Sequence, residues 1–324
     1  MPDFLFCFDH FHSHKGVVGD VLPLRCTIKL VTSFSIRGRQ FKSLMTNKIQ
    51  TQTGFVSVPG GQLYYESVGD GPVLVLIHAG IADSRMWDSQ MEAFAKHYRV
   101  IRYDVRGFGQ SKSENVTFSA RQDLRDLLTA LGVERAHLMG VSLGGLIITD
   151  YALEFPAMVR SLIPVGAGPG GFDVKAYVTE RELPRFKEMD EAFAKKDVAR
   201  VREVVVQIWV DGFHRTPDQV DPVVREKVGT MMIDNFKQHQ SEQITDKPLT
   251  PPAVGRLAEI KAPTLVIVGA VDVSPILAGV DKLAAGIPGA RKVVIENTAH
   301  VPNMEQPAEF NRLVLDFLSS VERG

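Results

Sequence analysis

A serine set between two glycines is the residue of this chain best placed to do chemistry: Gly140-Val141-Ser142-Leu143-Gly144 matches the pattern G-x-S-x-G. The apolar residues 136–139 before it read as a strand end, and residues 143–155 after it carry a helical pattern. Glycines on either side permit the sharp strand-to-helix turn that lifts a serine hydroxyl clear of the backbone, as a nucleophile requires. A pentapeptide this loose is a weak signal alone, so its surroundings must carry the reading.

A serine hydroxyl needs a base to take its proton, a group to orient that base, and donors for the oxyanion that forms. Asp272 follows the apolar run 264–268 through Gly269, and His300 follows 292–295 in Asn297-Thr298-Ala299-His300. Each therefore leaves the carboxyl end of its own strand, as Ser142 does. Glu296 and Asp281 compete for the acid's role. Asp281 falls in a helical pattern, whereas Glu296 directly follows its strand; Asp272 is the preferred acid. His97, His137, His214 and His239 lack a comparable position after a strand.

The elements that must hold these groups are legible as short apolar runs, the mark of strands buried on both faces, at residues 73–77, 100–103, 138–141, 161–165, 264–268 and 292–295. Helical patterns alternate with them. In residues 119–131, Leu124, Leu127, Leu128 and Leu131 recur at helical spacing, Ser119 and Gln122 make a capping box, and Gly132 ends the helix. Ahead of them, 55–58 and 63–67 flank Pro59-Gly60-Gly61 as a hairpin. Such alternation predicts a doubly wound, mostly parallel sheet with helices on both faces. It breaks after Val165: residues 180–195, 198–209 and 222–238 are helical with no buried strand between them. An insertion there emerges at the carboxyl edge of the sheet, where ligands bind, and should act as a cap. The predicted division is a leader at 1–44, a first core part at 45–167, a helical cap at 168–255 and a second core part at 256–324.

Residues 1–44 mix phenylalanine, histidine and basic residues without periodicity and end just before Met45, which is expected to be the natural start; the alternative is a basic, acid-poor targeting or disordered leader. His10, His12 and His14 alternate there without the Cys or carboxylate spacing of a metal site. Both cysteines, Cys7 and Cys26, lie in the same segment, so nothing beyond it can form a disulfide or a thiolate site, and a reducing cytoplasm fits. The formal net charge of −1 over 324 residues gives no electrostatic reason to expect nucleic acid or an acidic membrane as partner. No apolar run approaches the roughly 20 residues a membrane helix needs. A small molecule is the expected partner, no cofactor or metal is called for, and a homo-oligomer is compatible with the composition.

From about Phe55 onward the chain resembles the α/β-hydrolase superfamily. Besides the elbow, it shows Leu76-Ile77-His78-Ala79-Gly80 after one strand, Tyr103-Asp104-Val105-Arg106-Gly107-Phe108-Gly109-Gln110-Ser111 after the next, and a His300 loop running into Asn303-Met304-Glu305-Gln306-Pro307. The order Ser142, Asp272, His300 is that superfamily's triad order. Met86-Trp87-Asp88-Ser89-Gln90 and the cap are similar to its 3-oxoadipate enol-lactonase-like and esterase branches. The resemblance implies an oxyanion hole built from the backbone N–H of Leu143 and one from Gly80 or Ile81, with Ile81 preferred; Ala79 stands where glycine is common. The stretch from Asp104 to Ser111 is read as structural, its carboxylate and arginine satisfying backbone groups. Trp209, Phe213, His214 and Phe236 of the cap, with Trp87 and Met139 of the core, are candidates for the acyl pocket.

These readings converge on a serine hydrolase of a small carboxylic ester or lactone. A carbon–carbon bond hydrolase of ring-cleavage products or an enol-lactonase could use the same triad. From a different class, a hydrolase-fold receptor could retain the triad with little turnover. Serine at the elbow argues against the haloalkane dehalogenase and epoxide hydrolase branches, where the resemblance would demand aspartate.

Overall fold

The computed structural model describes residues 51–239 and 243–323. The leader at 1–44, Met45, Cys7, Cys26 and the alternating His10, His12 and His14 lie outside them. A hairpin opens the described chain, β1 (Gln52–Val58) and β2 (Gly61–Val68), paired antiparallel about the Pro59-Gly60 turn. Then follow β3 (Val73–Ile77), α1 (Asp88–Ala95), β4 (Arg99–Tyr103), the two-residue strands β5 (Lys112–Ser113) and β6 (Thr117–Phe118), α2 (Ala120–Ala130), β7 (Ala136–Val141), α3 (Leu143–Glu154) and β8 (Val159–Val165). The second half carries α4 (Leu183–Ala194), α5 (Val198–Val206), α6 (Pro222–His239), β9 (Thr245–Asp246), β10 (Leu265–Gly269), α7 (Ser274–Gly286), β11 (Arg291–Ile295), α8 (Pro302–Glu305) and α9 (Pro307–Arg323).

Among the described residues the strands form one large sheet in the order β1-β2-β4-β3-β7-β8-β10-β11, parallel from β4 to β11, with β5 beside β2. Successive side chains of a strand point to opposite faces, and both faces of the central strands are buried; β11, expected to be buried on both faces, is instead an edge strand that exposes Arg291, Lys292 and Val294. Val75, Ile77, Ile101, Tyr103 and Leu138 meet Leu124 and Leu127 of α2, Ile147 and Tyr151 of α3 and Val280 of α7. Their neighbours Leu74, Leu76, Val100, Met139 and Val141 meet Phe94 of α1 and Phe310, Val314 and Phe317 of α9 on the other face. This is the doubly wound sheet the alternation predicts.

The chain moves from β3 outward to β4 and later returns to β7 on the other side of β3. The loops after β3 and β7 thus run apart, leaving a crevice at the carboxyl end of the sheet. Ser142 stands at that crevice. The ring of helices differs from expectation at two points. Ser119 caps α2 by accepting from the Gln122 N–H at 3.4 Å, but the Gln122 side chain donates to Asp126 instead of closing the box. The predicted helix 198–209 ends its α-helical part at Val206 and widens into a single π turn, Gln207–Asp211. Between β8 and β10, α5 packs against both α4 and α6, and the strand there is the short β9, paired with β6 in a sheet of its own. No helix of the described residues is long and apolar enough to cross a membrane.

Candidate functional site

Ser142 bridges the last residue of β7 and the first of α3 at φ 52° and ψ −108°, a conformation that non-glycine residues rarely adopt. Its surroundings hold it there. The Ser142 N–H donates to the Val165 carbonyl at 2.8 Å and the Gly144 N–H to the His78 carbonyl at 3.2 Å. A Cβ on Gly144 would collide with the carbonyl of Ile77, so the helix start can lie against the end of β3 only as glycine.

The imidazole of His300 is almost entirely enclosed, and its Nδ1 lies 2.9 Å from Oδ2 and 3.2 Å from Oδ1 of Asp272. The Asp272 carboxylate also accepts the Val273 N–H at 2.8 Å. A carboxylate can only accept here, so the shared proton sits on Nδ1 and leaves the Nε2 lone pair free. Gly166, the residue after Val165, has φ 52°, and a Cβ there would stand 3.3 Å from both Asp272 Oδ2 and His300 Nδ1. The elbow and the Asp272–His300 pair thus share one end of the sheet through Val165 and Gly166. The hydrogen bonds of the described residues include that pair but none from Ser142 Oγ to His300 Nε2. Of the competing acids, Glu296 is exposed, and exposed Asp281 pairs with Lys292.

The loop after β3 places its N–H groups in a telling way. Ala79 donates to the Met86 sulfur at 3.3 Å, while the N–H groups of Gly80, Ile81 and Leu143 meet no protein acceptor among the described residues. Ala79 thus directs its donor to Met86 and not to the site. His78, fully buried, accepts the Val105 N–H at 2.9 Å on Nε2 and donates from Nδ1 to its neighbour's carbonyl at 2.8 Å; burial pushes its pKa down, and it serves as a neutral strut. In the next loop, Asp104 accepts from the N–H groups of Ser84 at 2.8 Å and Gln110 at 2.7 Å. Arg106, fully buried, forks onto Asp123 at 2.9 Å and reaches the carbonyls of Pro59 and Gly60.

Gly80 and Leu143 form one wall of an apolar cavity of about 70 Å³. Phe108, Phe118, Phe193, Met232 and Phe236 supply most of the rest, and Asp246, whose carboxyl is pushed up to about 6 by burial, lies in its wall. The pocket candidates fare unevenly. Phe236 lines this cavity. Trp87 does not: it is fully buried 6.3 Å from Phe310, as a core residue between α1 and α9. Met139 points from β7 to the opposite face of the sheet and is core as well. Trp209 lays its indole 4.5 Å from the His300 ring, beside that imidazole instead of in the cavity. Phe213 packs on Phe186 and borders an outer cleft with Arg215, and His214 meets Arg181 at the surface. Phe108, Phe118, Phe193 and Met232 were missed. Only the Met232 and Phe236 pair, four apart on one helix face, carried a signal that could have found one of them. Among the described residues no three His, Cys, Asp or Glu side chains gather as metal ligands would.

The family of the alpha/beta hydrolase fold matches residues 72–307. The chain belongs to that family, and hydrolysis is the class of chemistry this membership supports. It is 30% identical over 275 residues to a 2-hydroxy-6-oxononadienedioate/2-hydroxy-6-oxononatrienedioate hydrolase of Pseudomonas putida, covering 79% of this chain and 91% of that one. Among solved structures it is similar to a hydrolase from Pseudomonas aeruginosa, at 28% identity and a TM-score of 0.66 over 82% of this chain and 98% of that one. It is also similar to the enol-lactonase from Burkholderia xenovorans, at 25% identity and a TM-score of 0.66 over 82% and 100% of the two chains.

Proposed function

We propose that the protein hydrolyses small uncharged carboxylic esters or lactones through an acyl-enzyme on Ser142. Ser142 Oγ attacks the acyl carbon while His300 Nε2 takes its proton, and the N–H groups of Leu143 and of Gly80 or Ile81 receive the oxyanion. The carbon–oxygen bond to the alcohol breaks, and the alkoxide leaves with the proton from His300. A water then attacks the acyl-enzyme, His300 again taking a proton, and the acid departs as Ser142 recovers its own. Asp272 holds the ring in the tautomer with Nε2 free and stabilises the imidazolium that forms. The observation that carries the substrate class is the cavity ending on Gly80 and Leu143, whose wall is mainly aromatic and aliphatic.

A second reading, a carbon–carbon bond hydrolase of a dienoic acid, is favoured by the 30% identity to the Pseudomonas putida enzyme. Its substrate is by name a dicarboxylate, and carboxylates in a low-dielectric cavity need cationic partners. Arg106 is the only Lys or Arg in the wall among the described residues, and Asp123 already holds its guanidinium. Asp246, once ionised, would repel such a substrate. Steady-state kinetics on p-nitrophenyl acetate and butyrate, a medium-chain lactone and a ring-fission dioate decide between them. The expected result is saturable turnover of esters or lactones at a higher kcat/KM than the dioate; the reverse order would establish the second reading. Ligand-induced thermal stabilisation without product would instead indicate a receptor.

A further inference from the structure

The π turn Gln207–Asp211 closes a helix whose last carbonyls have no partner within it, as at any helix end. Here one of those carbonyls is taken by the loop that carries His300 and two by Arg215. The Trp209 carbonyl accepts the N–H of His300 itself at 3.1 Å. The next two are taken by Arg215: Nη2 donates to the Val210 carbonyl at 2.5 Å and Nε to that of Asp211 at 2.9 Å. From its other side the same guanidinium donates through Nη1 to the Asn297 carbonyl at 2.6 Å and to Glu305 Oε2 at 2.6 Å. Glu305 Oε1 in turn accepts the Ala299 N–H at 2.8 Å. The fork thus grips the peptide groups just after Trp209 with one edge. With the other, directly and through Glu305, it grips those just before His300. Both ionic side chains are nearly enclosed, at 11% and 7% exposed. Close approach at this point is also built in by Gly212, at φ 70°, where a Cβ would stand 2.6 Å from the Val271 carbonyl beside Asp272.

We propose that Arg215, acting through Glu305 and the π turn, is a positioning residue that holds His300 Nε2 on its line to the substrate, so that the helical insertion and the base move as one body. This inference rests on His300 being the general base. Lysine cannot replace the arginine fully, because an ammonium reaches one side of the clamp and lacks the planar fork that spans both.

The test measures kcat, KM, the rate of fluorophosphonate labelling and the far-downfield proton resonance of the His300–Asp272 pair, in Arg215→Met and Arg215→Lys well below their melting temperatures. Displacing a reacting group by about 1 Å costs on the order of 10²-fold. Arg215→Met is therefore expected to lose about that much in kcat and in labelling rate, with KM little changed and the resonance broadened or lost, and Arg215→Lys to recover part of each. An unchanged kcat, or a fall that leaves the resonance and the labelling rate intact, overturns the inference. Should Arg215→Met fail to fold, Arg215→Lys decides alone: lowered kcat at constant KM supports the clamp and full kcat overturns it. His300→Ala separates the two layers. If it retains activity, the general-base reading has failed; if it is dead while Arg215→Met is silent, only the clamp has failed.

Discussion

Replacing Asp272 by asparagine changes one atom and should disable the site. The two oxygens of Asp272 are not equivalent: Oδ1 accepts the Val273 N–H at 2.8 Å, while Oδ2 makes the shorter bond, 2.9 Å, to His300 Nδ1. In Asp272→Asn the carboxamide oxygen must stay where the Val273 N–H points, since an NH₂ there would leave two buried donors face to face. The NH₂ then occupies the Oδ2 position and donates to Nδ1. His300 is thereby driven into the tautomer with its proton on Nε2, where it can no longer accept one from Ser142. In a serine-protease triad the corresponding change lowers kcat about 10⁴-fold, or ~5 kcal/mol at 1.36 kcal/mol per tenfold. The same order is expected here, because both side chains are 1–2% exposed and water cannot substitute for the lost acceptor. Steady-state kinetics on p-nitrophenyl butyrate should show the fall in kcat with KM nearly constant, and thermal denaturation should show the fold retained. A kcat within tenfold of the parent would refute the reasoning, as would a Glu296→Gln variant that loses more.

Three further outcomes follow from buried groups. Arg106→Met strands Asp123 in the interior, and breaking one partner of a buried pair costs about 3–5 kcal/mol; denaturant titration should show it, and a loss under 1 kcal/mol would mean water replaces the arginine. Asp150 is buried, its Oδ1 meets no partner among the described residues, and burial pushes its pKa up to about 6 from the ordinary ~3.9 of an unfolded chain. Between those values the unfolded chain gives up its proton first, so the group weakens the fold as pH rises from ~4 to ~6. Asp150→Asn should accordingly raise stability by up to about 3 kcal/mol at pH 7 and by nothing near pH ~3.5, whereas an equal gain at both would contradict the cause. Met232→Trp should fill the cavity and lower kcat/KM for octanoyl esters far more than for acetyl esters, since each excluded methylene forfeits about 0.8 kcal/mol; a uniform loss across chain lengths would show that acyl chains lie elsewhere.

Parts of the site are legible in the sequence because local chemistry demands them. Gly140-Val141-Ser142-Leu143-Gly144 announces a tight strand-to-helix turn, and Ser142 indeed adopts φ 52° there. Asp272 and His300 can be paired from the sequence because each follows a short strand, the buried β10 and the edge strand β11, and parallel strands deliver their carboxyl ends to one edge. Sheet faces are harder. With both faces covered by helices, alternation assigns Leu138 and Met139 to opposite layers without saying which layer bounds the crevice, and Met139 belongs to the other one. Trp87 was misplaced for a related reason, since an aromatic near a loop end can equally be core. The link between Arg215 and the His300 loop spans 82 residues to Asn297 and 90 to Glu305. No local pattern records a bond of that length. The end of α5 at Val206 is invisible too, because the helical propensity of residues 207–209 continues while the tertiary demand for free carbonyls opens the turn.

Ser142 as the nucleophile is the central claim, and intact-mass analysis after rapid acid quench with a slowly hydrolysed p-nitrophenyl ester tests it most directly. One added acyl group per chain is expected, mapped by peptide sequencing to Ser142 and absent from Ser142→Ala, which should also lose turnover. Acylation at another residue, or an alanine variant that still turns over at the parent rate, would contradict it.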